Sequence, residues 1–363
     1  MNKVIAIAMA LFVITLAPAT FAAEPSAPDV VGGDAGIVEG AGVSPVVEFV
    51  WVLPDEDNLT AGTQLEVLAY GQRDDIYACV VVTDDDSRDT IADVFIDLYH
   101  PDGSFKYQIH GVRLDNVADA DAIEACKTDA LNAGLITSQD WEDINYRIFD
   151  QQISYMYEVW LPMFYHQPSG EYRAEAWAVD TTSRASVPVD AFFTWVPGTF
   201  LGLDFTSVDF GNIQPGAWKI VNGDLVFSLG DGMPTVRNEG NTEVIVGLEI
   251  SEFVGTGSNP NKVIDDFDAQ LRNLGTNNHD SIPGEHLEFV ADQFVQFTYP
   301  IELCRQEKLD FSIHADVGTL PDAYSGNVTV YADPNIVDAP EPDTYPYPRC
   351  GVHMDPDATC PLV

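Results

Sequence analysis

Hydrophobic positions along this chain recur mostly at every second residue, in short runs cut by turn residues, a period that belongs to half-buried β-strands. Five such runs open the pattern, at residues 46–53, 64–70, 76–82, 93–99 and 105–109, with Pro54-Asp55-Glu56-Asp57-Asn58 and Pro101-Asp102-Gly103 as breakers. The period then changes. Over residues 119–133, Ile123, Cys126 and Ala130 fall at helical spacing, and Gly134 stands where a helix would end. Thr137, with Asp140 three residues on, has the form of a capping box, and Trp141, Ile144 and Ile148 continue the apolar stripe. Two short helices are therefore predicted as an insertion at about 117–150. Their stripe needs a cover, either their own sandwich or a partner. Strands are expected again at 154–161, 172–180 and 191–195.

Pro197-Gly198 marks a boundary, after which a second β series runs through 201–205, 218–221, 225–228, 242–250, 287–290, 296–299, 309–313 and 327–332. Asn222-Gly223, between two of these runs, is a hairpin signal. Val244, Val246, Leu248 and Ile250 alternate strictly, which predicts one core-facing and one wet face. Many short strands with regular turn signals predict an all-β fold of two tandem β-sandwiches, 45–197 and 198–333. A Gly/Ala/Pro-rich leader (23–44) and a Pro-rich tail with two cysteines (334–363) flank them.

Composition sets the compartment. Residues 1–22 join Lys3 to an apolar run over 4–16 and the small-residue pattern Thr20-Phe21-Ala22, which predicts a secretory signal peptide cut after Ala22. No second apolar stretch approaches the ~18 residues of a membrane span, so a secreted or cell-surface product without membrane insertion is expected. The 363 residues carry 58 Asp and Glu against 16 Lys and Arg, a net charge of −42, which excludes nucleic acid as a natural partner. A 46% hydrophobic content excludes disorder as the reading of that acidity. In an oxidising exterior five cysteines leave one over. Cys350 and Cys360 close a short loop and are expected to pair, and Cys79 with Cys126 would join a strand to a helix. Cys304 is then the odd one, either a buried core residue or a link between two molecules.

Two stretches carry a resemblance. Val82-Thr83-Asp84 and Ile91 through Gly103, with Pro168-Ser169-Gly170-Glu171-Tyr172 through Asp180, resemble strand pairs of bacterial and archaeal immunoglobulin-like surface domains. Val208-Asp209-Phe210-Gly211-Asn212-Ile213-Gln214-Pro215-Gly216, Val236-Arg237-Asn238-Glu239-Gly240-Asn241-Thr242 and the Gly318-Thr319 to Val330 stretch are similar to the second half of that pattern. The whole resembles exported surface proteins of methanogen-type archaea built of tandem immunoglobulin-like domains. The resemblance implies an all-β scaffold of surface, filament or anchoring proteins and no catalytic residue.

The chain contains no G-x-S-x-G elbow, P-loop, H-E-x-x-H, dinucleotide G-x-G-x-x-G or C-x-x-C-H motif. His279 and His286 lie close together, and Cys350, His353 and Cys360 could be read as metal ligands, though an oxidising exterior favours the disulfide. The better metal candidates are Asp84, Asp85, Asp86 and Asp89 at a strand end, whose hard oxygens suit Ca²⁺, and Asp115, Asp119, Asp121 and Glu124 around the first helix. Both clusters have a second reading as a solvated acidic face. Trp51, Trp177 and Trp195 fall within strand runs and are expected in the core rather than on a sugar-stacking platform. Asn58 and Asn327 head N-glycosylation sequons. These features point to a non-enzymatic structural protein of the cell surface, assembling with itself or other surface proteins through its sandwiches. The alternatives are a secreted adhesive or polysaccharide-binding module, then an accessory protein of an extracellular hydrolase.

Overall fold

The computed structural model describes residues 42–57, 60–260, 262–272 and 285–334. The expected signal peptide, Asn58, His279, His353 and the Cys350–Cys360 pair lie outside the described residues.

Nine strands and two helices precede residue 198. They are β1 (Val46–Leu53), β2 (Thr63–Leu65), β3 (Arg73–Thr83), β4 (Ile91–Tyr99), β5 (Phe105–His110), β6 (Val112–Arg113), α1 (Ala120–Asn132), α2 (Ser138–Asn145), β7 (Ser154–Phe164), β8 (Gly170–Asp180) and β9 (Val189–Trp195). One sheet runs β1-β3-β7-β6 and the other β2-β9-β8-β4-β5. Ile76, Ala78, Val80 and Val82 of β3 meet Val94, Ile96 and Leu98 of β4 and Phe193 and Trp195 of β9 between the sheets. Cys79 and Val81 point the other way, under Ile123, Cys126 and Ala130 of α1 and Ile144 and Ile148 that follow it. The insertion is thus a third layer covering the outer face of the first sheet, and its stripe is covered by its own sandwich. That double burial is why β3 reads as a near-continuous apolar run and not as an alternation.

The local chemistry of the helices follows the sequence. Thr137 Oγ1 accepts the Asp140 N–H at 3.1 Å and the Asp140 carboxylate accepts the Thr137 N–H at 2.8 Å, the reciprocal capping box. Gly134 closes α1 with φ of 70°, a conformation that strains residues bearing a Cβ. Lys127, fully buried beneath the helices, is offset by Glu124 at 2.9 Å, Asn145 Oδ1 at 3.0 Å and the Trp141 ring at 4.2 Å. Cys79 and Cys126 form a disulfide, with Cα atoms 6.6 Å apart, that ties the lid to the sheet.

Beyond residue 198 come β10 (Leu201–Leu203), β11 (Ala217–Val221), β12 (Thr235–Asn238), β13 (Val244–Ile250), β14 (Phe253–Gly255), β15 (Val263–Ile264), β16 (Asp266–Arg272), β17 (Glu285–Val290), β18 (Val295–Gln296), β19 (Gln306–Ala315), β20 (Tyr324–Ser325) and β21 (Val328–Pro334). The large sheet is ordered β10-β12-β19-β16-β17, with β11 also on β19, and packs over β18-β13-β21. Phe267, Ala269, Leu309, Phe311 and Ile313 from one layer meet Val246, Leu248 and Ile250 from the other. The chain is all-β with a two-helix insertion, as the pattern predicts. Asn241, buried in the V-x-N-x-G-N stretch, holds the passage between the cores. Its side chain accepts the Gly198 N–H at 2.6 Å and donates to Val196 O at 2.8 Å, and its carbonyl accepts the Ser169 N–H at 2.9 Å. Close by, the Arg237 guanidinium lies 3.8 Å from the centre of the Tyr70 ring.

Several expectations fail. Residues 225–228 form no strand, and Asn222-Gly223 is not a hairpin turn, because β11 pairs with β19 and not with the segment that follows it. Gly223 is demanded instead by close backbone approach, since a Cβ there would lie 2.0 Å from Pro234 O, and its N–H donates to the Asp310 carboxylate at 2.8 Å. Residues 266–272, where no strand is expected, form β16, and Asp-Phe-Asp-Ala-Gln-Leu-Arg there alternates polar and apolar throughout. Cys304 is not the odd cysteine. It is disulfide-bonded, and its Sγ lies 3.8 Å from the Tyr165 hydroxyl.

Two stability predictions follow from this architecture. The Cys79–Cys126 bond closes a sequence separation of 47 residues, worth about 4 kcal/mol in the chain-entropy account. The Cys79→Ser/Cys126→Ser chain should accordingly show a clearly lower denaturant midpoint than the oxidised parent, and equal midpoints would contradict the staple. Glu307 is buried in the second core with Oε2 lacking a hydrogen-bond partner, and burial, reinforced by Glu302, pushes its carboxyl up to about 9. A folded-state value above the unfolded one stabilises fully below the ordinary carboxylate range and loses that contribution as pH rises, at about 1.4 kcal/mol per pH unit. Glu307→Gln should therefore raise the melting temperature at pH 8 and flatten its decline between pH 5 and 8, as read by calorimetry across that range.

Candidate functional site

Among the described residues, the acids singled out in the sequence form no group of three with ligand atoms within 4.8 Å of one another. Asp84 is buried, its two oxygens taking the Asp86 N–H at 3.0 Å and the Thr90 hydroxyl at 2.7 Å. Asp86 accepts the Val43 N–H at 2.8 Å and lies 3.4 Å from Arg184, Asp89 accepts the Tyr155 hydroxyl at 2.7 Å, and Asp85 faces solvent. Asp84, Asp86 and Asp89 thus each take separate partners and brace the corner that follows β3. Asp115 likewise caps its own turn, accepting the N–H groups of Val117 and Ala118 at 2.8 Å, and these bonds hold its carboxyl below the usual range. Asn327 is exposed and immediately precedes β21.

Chemistry-bearing side chains gather instead on the outer face of the large sheet of the second core. Because Phe267, Ala269 and Leu271 of β16 point inward, Asp266, Asp268 and Gln270 point out. The strand register turns this face into rows. Trp218 of β11, His314 of β19, Asp266 of β16 and Val290 of β17 stand side by side in the first row. Ile220, Ser312, Asp268 and Glu288 form the second, and Asp310, Gln270 and His286 the third.

Contacts follow those rows. The Trp218 indole stacks on the His314 imidazole with ring centres 4.9 Å apart and planes 23° from parallel, and Trp218 remains 45% exposed. His314 Nδ1 lies 3.1 Å from Asp266 Oδ2, so a carboxylate orients the ring that supports the tryptophan. Ile220 and Val290, 56% and 57% exposed, border the face on its two sides. In the middle, Asp268, His286 and Glu288 place one ligand atom each within 4.8 Å of one another, the one such group of three among the described residues. Two carboxylates and an imidazole are a donor set for a divalent transition metal, whereas Ca²⁺ prefers an all-oxygen shell.

The tryptophans divide differently from expectation. Trp51 and Trp195 are buried, as their strand positions predict. Trp177 is instead on the outer face of β8, stacked on Phe95 with ring centres 4.6 Å apart and donating its Nε1–H to Asp97 at 3.1 Å. Its alternation partners Ala176 and Ala178 take the core. Trp218 opens the expected 218–221 run, and nothing local to that short run tells that its ring faces outward rather than into the core.

Among the described residues no helix is long and apolar enough to cross a membrane. No protein-family model matches the chain, and no curated protein matches it. Solved structures are similar only remotely. One described as "Chaperone-tip adhesin complex is vital for synergistic activation of CFA/I fimbriae biogenesis" is 9% identical over 80% of this chain and 84% of its own, at a TM-score of 0.27. "Secreted serine protease VesC from Vibrio cholerae" is 8% identical over 76% of this chain and 50% of its own, at 0.19. "BspA_C_WT" is 8% identical over 79% of this chain and 96% of its own, also at 0.19. Likenesses at this level carry no argument about function.

Proposed function

We propose that this chain is a non-enzymatic exported protein of the cell surface that works by contact through its β-sheet faces, assembling with copies of itself or with other surface proteins. The observation that supports this reading is the open outer face of the large sheet, where exposed Trp218, Ile220 and Val290 flank a polar centre of histidines and carboxylates. Docking on such a surface removes apolar area from water at its borders, while paired polar groups set the register. Trp218 is suited to anchor it, because its ring is already immobilised on His314 and loses little freedom on binding. The net charge of −42 opposes self-association at low salt, so association should strengthen as ions screen it.

A second reading, polysaccharide binding, is favoured by the same tryptophan. One face of the indole rests on His314 and the other is available for a flat apolar surface such as a sugar ring.

Sedimentation and light scattering of the full chain across concentration and salt test the assembly reading. Species above the monomer are expected to grow with both, and Trp218→Ala should weaken the association roughly tenfold. A monomer at every concentration and salt would overturn assembly. Retention on an immobilised polysaccharide that Trp218→Ala abolishes would then establish the second reading.

A further inference from the structure

Asp268 and Glu288 are direct cross-strand partners on β16 and β17, so two carboxylates stand opposite one another on the same sheet face. Like charges so placed are destabilising unless something positive lies between them. His286, diagonal to Asp268, brings Nε2 to 3.2 Å from Asp268 Oδ2. A second feature is independent of that contact. Asp268 Oδ1 is sealed from solvent with no hydrogen-bond donor, and the side chain as a whole is only 16% exposed. A carboxylate oxygen sealed in this way forfeits its hydration without a replacement. A cation set against the pair would offset both the repulsion and the lost hydration.

The neighbouring histidine provides an internal comparison. His314 also meets an aspartate, Asp266, but its ring is covered by Trp218 and it forms no ligand group of the same kind. The ligand character therefore belongs to the β16–β17 pair and not to histidine–aspartate contacts in general.

We propose that Asp268, His286 and Glu288 bind a divalent first-row transition metal ion such as Zn²⁺ on the outer face of the β16–β17 hairpin. Each strand contributes, so the ion bridges the two strands across their register. Three protein ligands leave the solvent side of the ion open to water or to a donor from a docking partner. Imidazole nitrogen with two carboxylates selects Zn²⁺, Co²⁺ or Ni²⁺ over Ca²⁺ and Mg²⁺. The site stands whether or not the face is used for assembly.

The test is titration of chelator-treated full chain with Zn²⁺ by calorimetry and with Co²⁺ by visible absorption, in millimolar Ca²⁺ to occupy diffuse carboxylate sites. One saturable equivalent is expected, with Co²⁺ bands of a nitrogen–oxygen shell. His286→Ala, an exposed position whose loss leaves the core intact, should weaken binding roughly tenfold or more, and so should Glu288→Gln. His314→Ala should leave binding unchanged. Uptake without saturation near one equivalent, or binding indifferent to His286→Ala, would overturn the site and assign the uptake to the acidic surface at large.

Discussion

The architecture depends on one constraint: the sheet β1-β3-β7-β6 is apolar on both faces, and each face has to be covered. A lone sandwich covers one. The second sheet takes Ile76, Ala78, Val80 and Val82, and the inserted helices take Cys79 and Val81. Everything about the insertion serves that second cover, from the stripe of Ile123, Cys126 and Ala130 to the buried Lys127 held over Trp141. The disulfide lies at the centre of the contact, where it limits how far the lid can lift.

The second core solves the covering problem differently, and its solution leaves a face open. The large sheet turns Phe267, Leu309 and Phe311 inward against β13, while its outer side carries alternating histidines and carboxylates. A sheet with one wet face tolerates such groups because water hydrates them. The wet face also concentrates them, since strict alternation brings every second residue of three neighbouring strands into rows about 5 Å apart. Chemistry in this molecule is thus a product of register: no single segment contains it.

That explains what the sequence disclosed and what it hid. The period-2 runs, the capping box at Thr137 and Asp140 and the helical stripe are local signals, and they appear where the residues place them. The assignment of Asn222-Gly223 failed because a hairpin signal says nothing of whether the following segment finds a partner, and β19 had already taken β11. The acids at 84–89 are adjacent in sequence, but in the loop after β3 their side chains turn to different partners, Thr90, Arg184 and Tyr155. Asp268 and Glu288 are twenty residues apart, and only the antiparallel pairing of β16 with β17 makes them neighbours. The alternation within 266–272 was visible, but the register that gives it meaning was not.

The passage between the two cores has a property that the surface lacks. It is built from the amide of Asn241, main-chain groups of Val196, Gly198 and Ser169, and an arginine neutralised by its own neighbour Glu239 as it rests on Tyr70. The hydrogen bonds of Asn241 across it join uncharged groups. At physiological ionic strength the screening length is about 8 Å, and it changes severalfold between fresh water and brine. Across that range the attraction of the outer faces for other bodies changes, while the coupling at Asn241 does not. Salt therefore acts on the acidic outer faces far more than on the amide hydrogen bonds that join the two cores.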